Sequence, residues 1–176
     1  MKQFIQKYKK TIYILIGLLL NTPTQVYAEE SQLKLSGVHR IRYEHLSNQF
    51  RNNLSGNDEA LALRTLLKAE WQKSNFSFTT ELQDSRLYLN DDDNNVTGPS
   101  FVNTITLLQA NIAYGFHDVF KEGDEWHWRI GRMTQDLGSR RLVSRNRFRN
   151  TIQNYTGVWS EWRGSDDEQL TAFFVL

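Results

Sequence analysis

Cysteine is absent from all 176 residues, which excludes a disulfide framework, a thiolate metal site and a thiol nucleophile together. The four histidines, His39, His45, His117 and His127, lack the spacing of a catalytic zinc site. Beyond residue 28 no stretch is apolar for long enough to cross a bilayer as a helix. An excess of positive charge is missing as well, once the N-terminal segment is set apart. That segment holds four lysines and no acid, so the remaining 148 residues keep 17 basic against 20 acidic side chains, a net charge of −3. Such a balance gives no footprint for nucleic acid, which is not an expected partner. The 148 residues suffice for one domain.

What is present begins with an export signal. Lys2, Lys7, Lys9 and Lys10 precede the apolar run "TIYILIGLLL", which is short for a membrane span. Pro23 and then "VYA" ending at Ala28 read as a break and a small-residue cleavage site. The expectation is a signal peptide over 1–28 and a mature chain over 29–176; an uncleaved anchor is the competing reading.

The mature chain alternates in polarity with a period of two, the mark of strands. In "LKLSGVHRIRYEHL" (33–46), Leu33, Leu35, Ile41 and Tyr43 fall on one parity, and Lys34, Arg40, Arg42 and Glu44 on the other. "LALRTLLKAEW" (61–71) sets Leu61, Leu63, Leu67 and Trp71 against Arg64, Lys68 and Glu70. Leu63, Leu66, Leu67 and Glu70 would also suit a helix, but the charges share one parity and favour a strand. "FSFTTELQD" (76–84), "TITLLQANIAYGF" (104–116) and "EWHWRIGRM" (125–133) continue the pattern, with Leu108 grouped beside Ile112 and Tyr114 on the apolar parity. "YTGVWSEW" (155–162) and "QLTAFFVL" (169–176) complete seven strands.

Alternating apolar and charged faces fit either a soluble sandwich, whose apolar faces meet in a core, or an outer-membrane barrel, whose apolar face meets lipid. Two features favour the barrel, the aromatics and the mixed charges, and the linker lengths suit it as they also suit a soluble up-and-down sheet. Linkers after the first, third and fifth strands are long and the others shorter, as in outer-membrane barrels. Aromatics such as Tyr43, Trp71, Phe76, Tyr114, Trp126 and Trp162 sit near strand ends. Charges of both signs are close neighbours on the polar parity, as with Arg42 and Glu44 or Lys68 and Glu70. The expected fold is an all-β, antiparallel, up-and-down barrel. Seven strands do not close one, since single-chain bacterial barrels use an even number. An incomplete N-terminal part is therefore expected.

"GSRRLVSRNRFRNT" (138–151) crowds Arg140, Arg141, Arg145, Arg147 and Arg149 together with no acid among them. The run "RIGRMTQDLGSRRLVSRNRFRNTIQNYTGVWSEW" (129–162) closely resembles the alginate-export family of outer-membrane proteins. There a strand ending in a Gly-Arg pair, here Gly131 and Arg132, leads into a loop of this kind and then a "TGV" strand start, here 156–158. "LALRTLLKAEW" and "FSFTTELQDSR" match further family segments in the same order. The resemblance implies a closed barrel of about eighteen strands, a place in the outer membrane, and passage of a polyanionic polysaccharide through an arginine-rich pore.

The residues agree with that implication. Arginine offers carboxylates two parallel charge-assisted hydrogen bonds, and fixed cations lower the barrier to anions in a constriction. Arg132, Arg140, Arg141, Arg145, Arg147 and Arg149 are the candidate pore residues, joined by Arg40, Arg42 and Arg64. Arg132 and Arg140 lead as the best anchored. Each arginine has a competing role: an ion pair with Glu44, Glu70, Glu81 or Asp84, or a contact with lipopolysaccharide phosphate at the outer rim. Expected partners are anionic polysaccharide or small anions, outer-membrane lipid and periplasmic export components; no cofactor is expected.

"DDDNN" (91–95) lacks the full spacing of a calcium loop and reads as a solvated outer loop. Glu81 and Asp84 would be an acid pair for glycoside hydrolysis, though no other residues suggest an enzyme. The competing functions are a soluble periplasmic protein binding acidic sugars and a carbohydrate-active enzyme.

Overall fold

The computed structural model describes residues 30–47, 58–90 and 100–176. The segment read as a signal peptide and the acidic run 91–95 lie outside the described residues. Seven antiparallel strands form one sheet in the order in which they occur along the chain. They are β1 (Gln32–Leu46), β2 (Asp58–Lys73), β3 (Phe76–Tyr88), β4 (Asn103–His117), β5 (Glu125–Met133), β6 (Tyr155–Arg163) and β7 (Gln169–Val175). No helix is found among the described residues. This is the expected up-and-down arrangement, left unclosed with β1 and β7 as its edges.

The period of two gives the sheet two unlike faces. Gln83, Ser85, Glu81, Arg64, Leu66, Ala60 and Ala62 are buried on one face, although no second sheet packs against it. The cover is the connection 134–154 between β5 and β6, laid across the strands. The other face is bare: Leu33, Leu35, Ile41, Leu67, Leu82, Ile112 and Ile130 are all exposed there. Its polar row is satisfied internally. His39 Nδ1 and Thr65 Oγ1 are hydrogen-bonded at 2.9 Å, and Arg86 Nε lies 3.0 Å from Asp84 Oδ2.

One side chain falls on the face opposite to that expected. The pairing of β3 with β4 shifts between Glu81 and Leu82, so that Glu81 faces Gln109 while Leu82 faces Leu107. The extra residue is Leu108. A bulge inserts one residue without a partner and resets the alternation, so Leu108 and Gln109 are both buried on the covered face. The grouping of Leu108 with Ile112 and Tyr114 is thereby corrected. Leu108 instead packs with Leu66 and Ile152 as the apolar anchor of the cover.

Strands β2 and β3 extend beyond the pattern that marks them, to Asp58 and Tyr88. Small side chains explain the extension: Ala60, Ala62 and Ser85 give the cover room to lie on the wall, and Ser85 Oγ donates to Asn150 O at 2.7 Å.

At the other end of the sheet the turn before β5 is organised by Asp124. Its carboxylate accepts from the amides of Val119 (2.6 Å) and Phe120 (2.9 Å) and from Trp162 Nε1 (3.0 Å). Burial pushes this carboxyl up, but the indole and amide donors outweigh it and hold it below its ordinary value. A depressed folded-state pKa contributes stability above the unfolded value, and the contribution is lost as pH falls through the folded one. The advantage in melting temperature of wild type over Asp124→Asn is accordingly expected to be constant above about pH 5 and to shrink below about pH 4. Thermal melts of the full-length protein across that range check it.

Candidate functional site

The site lies between the wall of strands β1–β5 and the cover. Arg40 on β1 faces Arg64 on β2 in direct register, and Arg42 projects to the same face. Like charges placed opposite one another repel, unless acceptors lie between them. Here the acceptors are main-chain carbonyls of the cover. Arg40 Nη1 donates to Arg147 O at 2.7 Å and Nη2 to Arg149 O at 3.0 Å. Arg42 Nη1 donates to Phe148 O at 2.7 Å, and Arg64 Nη1 to Arg149 O at 3.0 Å. The Arg42 guanidinium also lies 5.0 Å from the centre of the Phe148 ring, an added cation–π contact.

Three further attachments fix the cover. Arg145 Nη1 donates to Glu81 Oε2 at 2.8 Å and to Thr134 Oγ1 at 2.9 Å, and Nη2 reaches the other oxygen of Glu81. This two-pronged pair carries strong, directional bonds, and Gln109 Nε2 donates to the same carboxylate. Fully buried Asn150 donates through Nδ2 to the carbonyls of Leu63 (3.1 Å), Arg86 (3.1 Å) and Phe101 (2.7 Å). Ile152 N donates to Gln83 Oε1 at 3.0 Å.

A cavity of about 510 Å³ remains beneath this bridge, lined by Arg64, Lys68, Arg129, Arg145 and Arg147 and by the carboxylate of Glu81. Glu81 already engages Arg145, and Lys68 Nζ lies 2.6 Å from Glu70 Oε1. Among the described residues neither Arg129 nor Arg147 has a carboxylate within ion-pair distance. The cavity is therefore cationic after its internal pairs are formed.

The nine arginines named from sequence divide between several places. Arg145 and Arg147 reach the cavity together with Arg64. Arg40 and Arg42 grip the cover. Arg132 falls on the bare face, in register with Ala110 and Thr156, and donates to Asn154 Oδ1 at 2.9 Å. Arg140 is exposed on the loop beside Asp136, Arg141 is exposed, and Arg149 reaches Ser100 Oγ. Of the four acids, Glu44 pairs with Arg42, Glu70 with Lys68 and Glu81 with Arg145. Asp84 pairs with Arg86 on the bare face and has no access to the cover. An odd spacing puts Glu81 and Asp84 on opposite faces of β3, so the acid pair for glycoside hydrolysis is not assembled. Arg129 and Lys68 went unnamed as site residues, although their parity places them on the polar face. No pattern in the sequence marks Asn150.

Gly131 and Gly157 are register partners on β5 and β6. A Cβ at Gly131, where φ is +121°, would run into the backbone of β4, and one at Gly157 into that of β7. Close approach of strands thus accounts for glycine at both points of the "RIGRM" and "TGV" segments.

A sheet with one bare apolar face, one polar face and a long connection folded over the polar side belongs to the class of β-barrel wall segments. The chain is a member of the alginate-export family, whose model matches residues 31–175. The family consists of outer-membrane transport proteins, not enzymes. Comparison with curated proteins and with solved structures gives no match.

The Arg145–Glu81 pair yields a direct test. Glu81→Ala leaves a guanidinium without its acid and unfastens the cover, so trypsin is expected to cleave at Arg145, Arg147 and Arg149 on the order of ten-fold faster than in wild type. Limited proteolysis of the full-length protein, with fragments identified by mass, measures this.

Proposed function

We propose that residues 29–176 form part of the wall of an outer-membrane channel that passes an anionic polysaccharide of uronate type, or smaller anions, and that residues 1–28 direct its export. The observation that carries this reading is the cationic cavity beneath the cover. Its guanidiniums are carried by the strands or by the bridge above them, and among the described residues neither Arg129 nor Arg147 has a carboxylate within ion-pair distance, Glu161 and Glu70 acting on Arg129 only from farther off. A carboxylate entering there meets preformed donors. Several cations in sequence also provide the multiple weak contacts that passage requires, without one deep trap.

The bare face supports the same reading. Trp71, Phe76, Tyr114, Phe116, Trp126, Trp128 and Trp162 gather at the end with the short turns, while Tyr43 and Tyr88 mark the other end. Phe78, in register with Trp71, is ten positions from Tyr88 on β3, about 33 Å along the strand. A strand tilt of about 40° reduces this to about 25 Å, the height of the lipid-facing band of an outer-membrane barrel. The apolar side chains between the two aromatic levels would then meet acyl chains, with the paired Asp84 and Arg86 neutralising each other within that band. The cover would lie inside the barrel. Passage is by diffusion, with no bond made or broken.

Two measurements test these halves separately. In planar bilayers the full-length protein carrying Arg129→Ser and Arg147→Ser is expected to lose about three- to ten-fold of its anion-over-cation permeability. A reversal potential equal to that of wild type would remove these arginines as the filter. For the lipid face, Leu82→Arg is expected to destabilise the protein in vesicles by about 2–4 kcal/mol, whereas Thr79→Arg on the opposite face costs much less. Equilibrium urea unfolding in lipid distinguishes the two.

A further inference from the structure

The channel reading leaves the short-turn end of the polar face without a role. There His117 on β4, Glu125 on β5 and Arg163 on β6 are register partners, and one row further in Gly115, His127 and Glu161 are partners across the same strands. Register partners project to one face, so two imidazoles, two carboxylates and a guanidinium stand together. The Glu125 carboxylate gives each imidazole one oxygen. His127 Nε2 is 3.2 Å from Oε2, and His117 Nδ1 is 3.8 Å from Oε1. Gly115, which has no side chain, leaves the His127 ring room to lie against β4.

The charge at this end depends on those two rings. Arg163 Nη2 pairs with Glu161 at 2.5 Å, and that pair cancels. With both imidazoles neutral, Glu125 leaves one negative charge; with both protonated, one positive charge remains. Neighbouring elements add little that would mask the change. The row partners on β7 are Gln169 and Thr171, and β2 and β3 bring Gln72 and Ser77 to the same hollow. In the adjoining turns Asp118 and Asp124 accept from main-chain amides, and Lys121 is paired with Asp166 and Glu168. Glu122 and Asp167 are exposed at the turns. His117, Glu125 and His127 are each about half exposed, so water and protons reach them.

Position ties these groups to the cations above. His117, His127, Glu161 and Arg163 line a hollow of about 460 Å³ together with Arg129, and Arg129 also lines the cationic cavity. We infer that His117 and His127 are specificity-determining residues of the channel, which set the sign of the charge at its short-turn mouth by binding protons beside Glu125. The inference rests on the channel reading and adds a second selectivity element to it. Fixed arginines cannot supply that element, because a guanidinium stays charged at every working pH. Imidazole instead changes its charge between about pH 8 and pH 5. At the upper end of that range the mouth opposes anions; at the lower end it attracts them and works with the cations above it.

The test is the anion-over-cation permeability ratio of the full-length channel in planar bilayers under a salt gradient, with each chamber acidified separately from about pH 8 to about pH 5. Ser165→Cys in the β6–β7 turn, carrying biotin, shows through streptavidin which chamber the short turns face. Acid on that side is expected to raise the ratio about two- to five-fold, and acid on the other side much less. His117→Gln combined with His127→Gln abolishes the sided rise. Glu125→Gln removes the negative charge and raises the ratio already at about pH 8, a second measurement that does not depend on the histidine variant folding. A sided rise of wild-type size in the double histidine variant, or an equal response to acid from either side in wild type, overturns the inference. Failure of the channel reading is a different result: a wild-type channel without anion preference at either pH.

Discussion

Arginine side chains bound to main-chain carbonyls are the constraint on which the rest of this structure depends. Arg40 and Arg64 stand opposite each other on neighbouring strands, a placement that repulsion opposes. The carbonyls of 147–149 convert it into a grip, since each oxygen brings the negative end of a dipole to a guanidinium. With the cover held there, small residues such as Ala60, Ala62 and Ser85 become buried, and Leu66, Leu108 and Ile152 gain an apolar contact away from water. The alternation of the strands makes the two faces unlike, and this attachment is what buries one of them.

The same grip separates anchoring from exposure of charge. Arg40, Arg42 and Arg64 bind backbone, Arg145 is fixed by Glu81 and Thr134, and Arg129 and Arg147 reach the cavity with no described carboxylate within ion-pair distance. An arginine-rich segment without such attachments would be a mobile tail, with its charge screened over about 8–10 Å of salt solution. Fixed to the wall, its charges hold defined positions relative to anything that enters.

Much of this was legible in the sequence, because a period of two is a physical property of the extended chain and survives any tertiary arrangement. All seven strands lie at the segments read as strands, although the last, apolar on both parities, carries no period to orient it. What escaped has particular reasons. The bulge at Leu108 comes from local pairing with β3, which the order of residues on one strand does not encode. Arg132 was ranked for nearness to its strand, although the parity of Trp128 and Ile130 already assigned it to the bare face. The grip of Arg40, Arg42 and Arg64 on the cover was not legible, since an acceptor made of backbone has no signature in side-chain identity. Asn150 is invisible for a related reason: its carbonyl partners come from three separate segments.

A clasp that holds amide oxygens is indifferent to the side chains those amides carry. Positions 147, 148 and 149 can exchange residues while the seat beneath them stays the same, provided Asn150 and the Arg145–Glu81 pair remain. The wall thus works as a socket for interchangeable fittings, and drift in three consecutive codons is enough to change the charge carried over the polar face without rebuilding the strands beneath it.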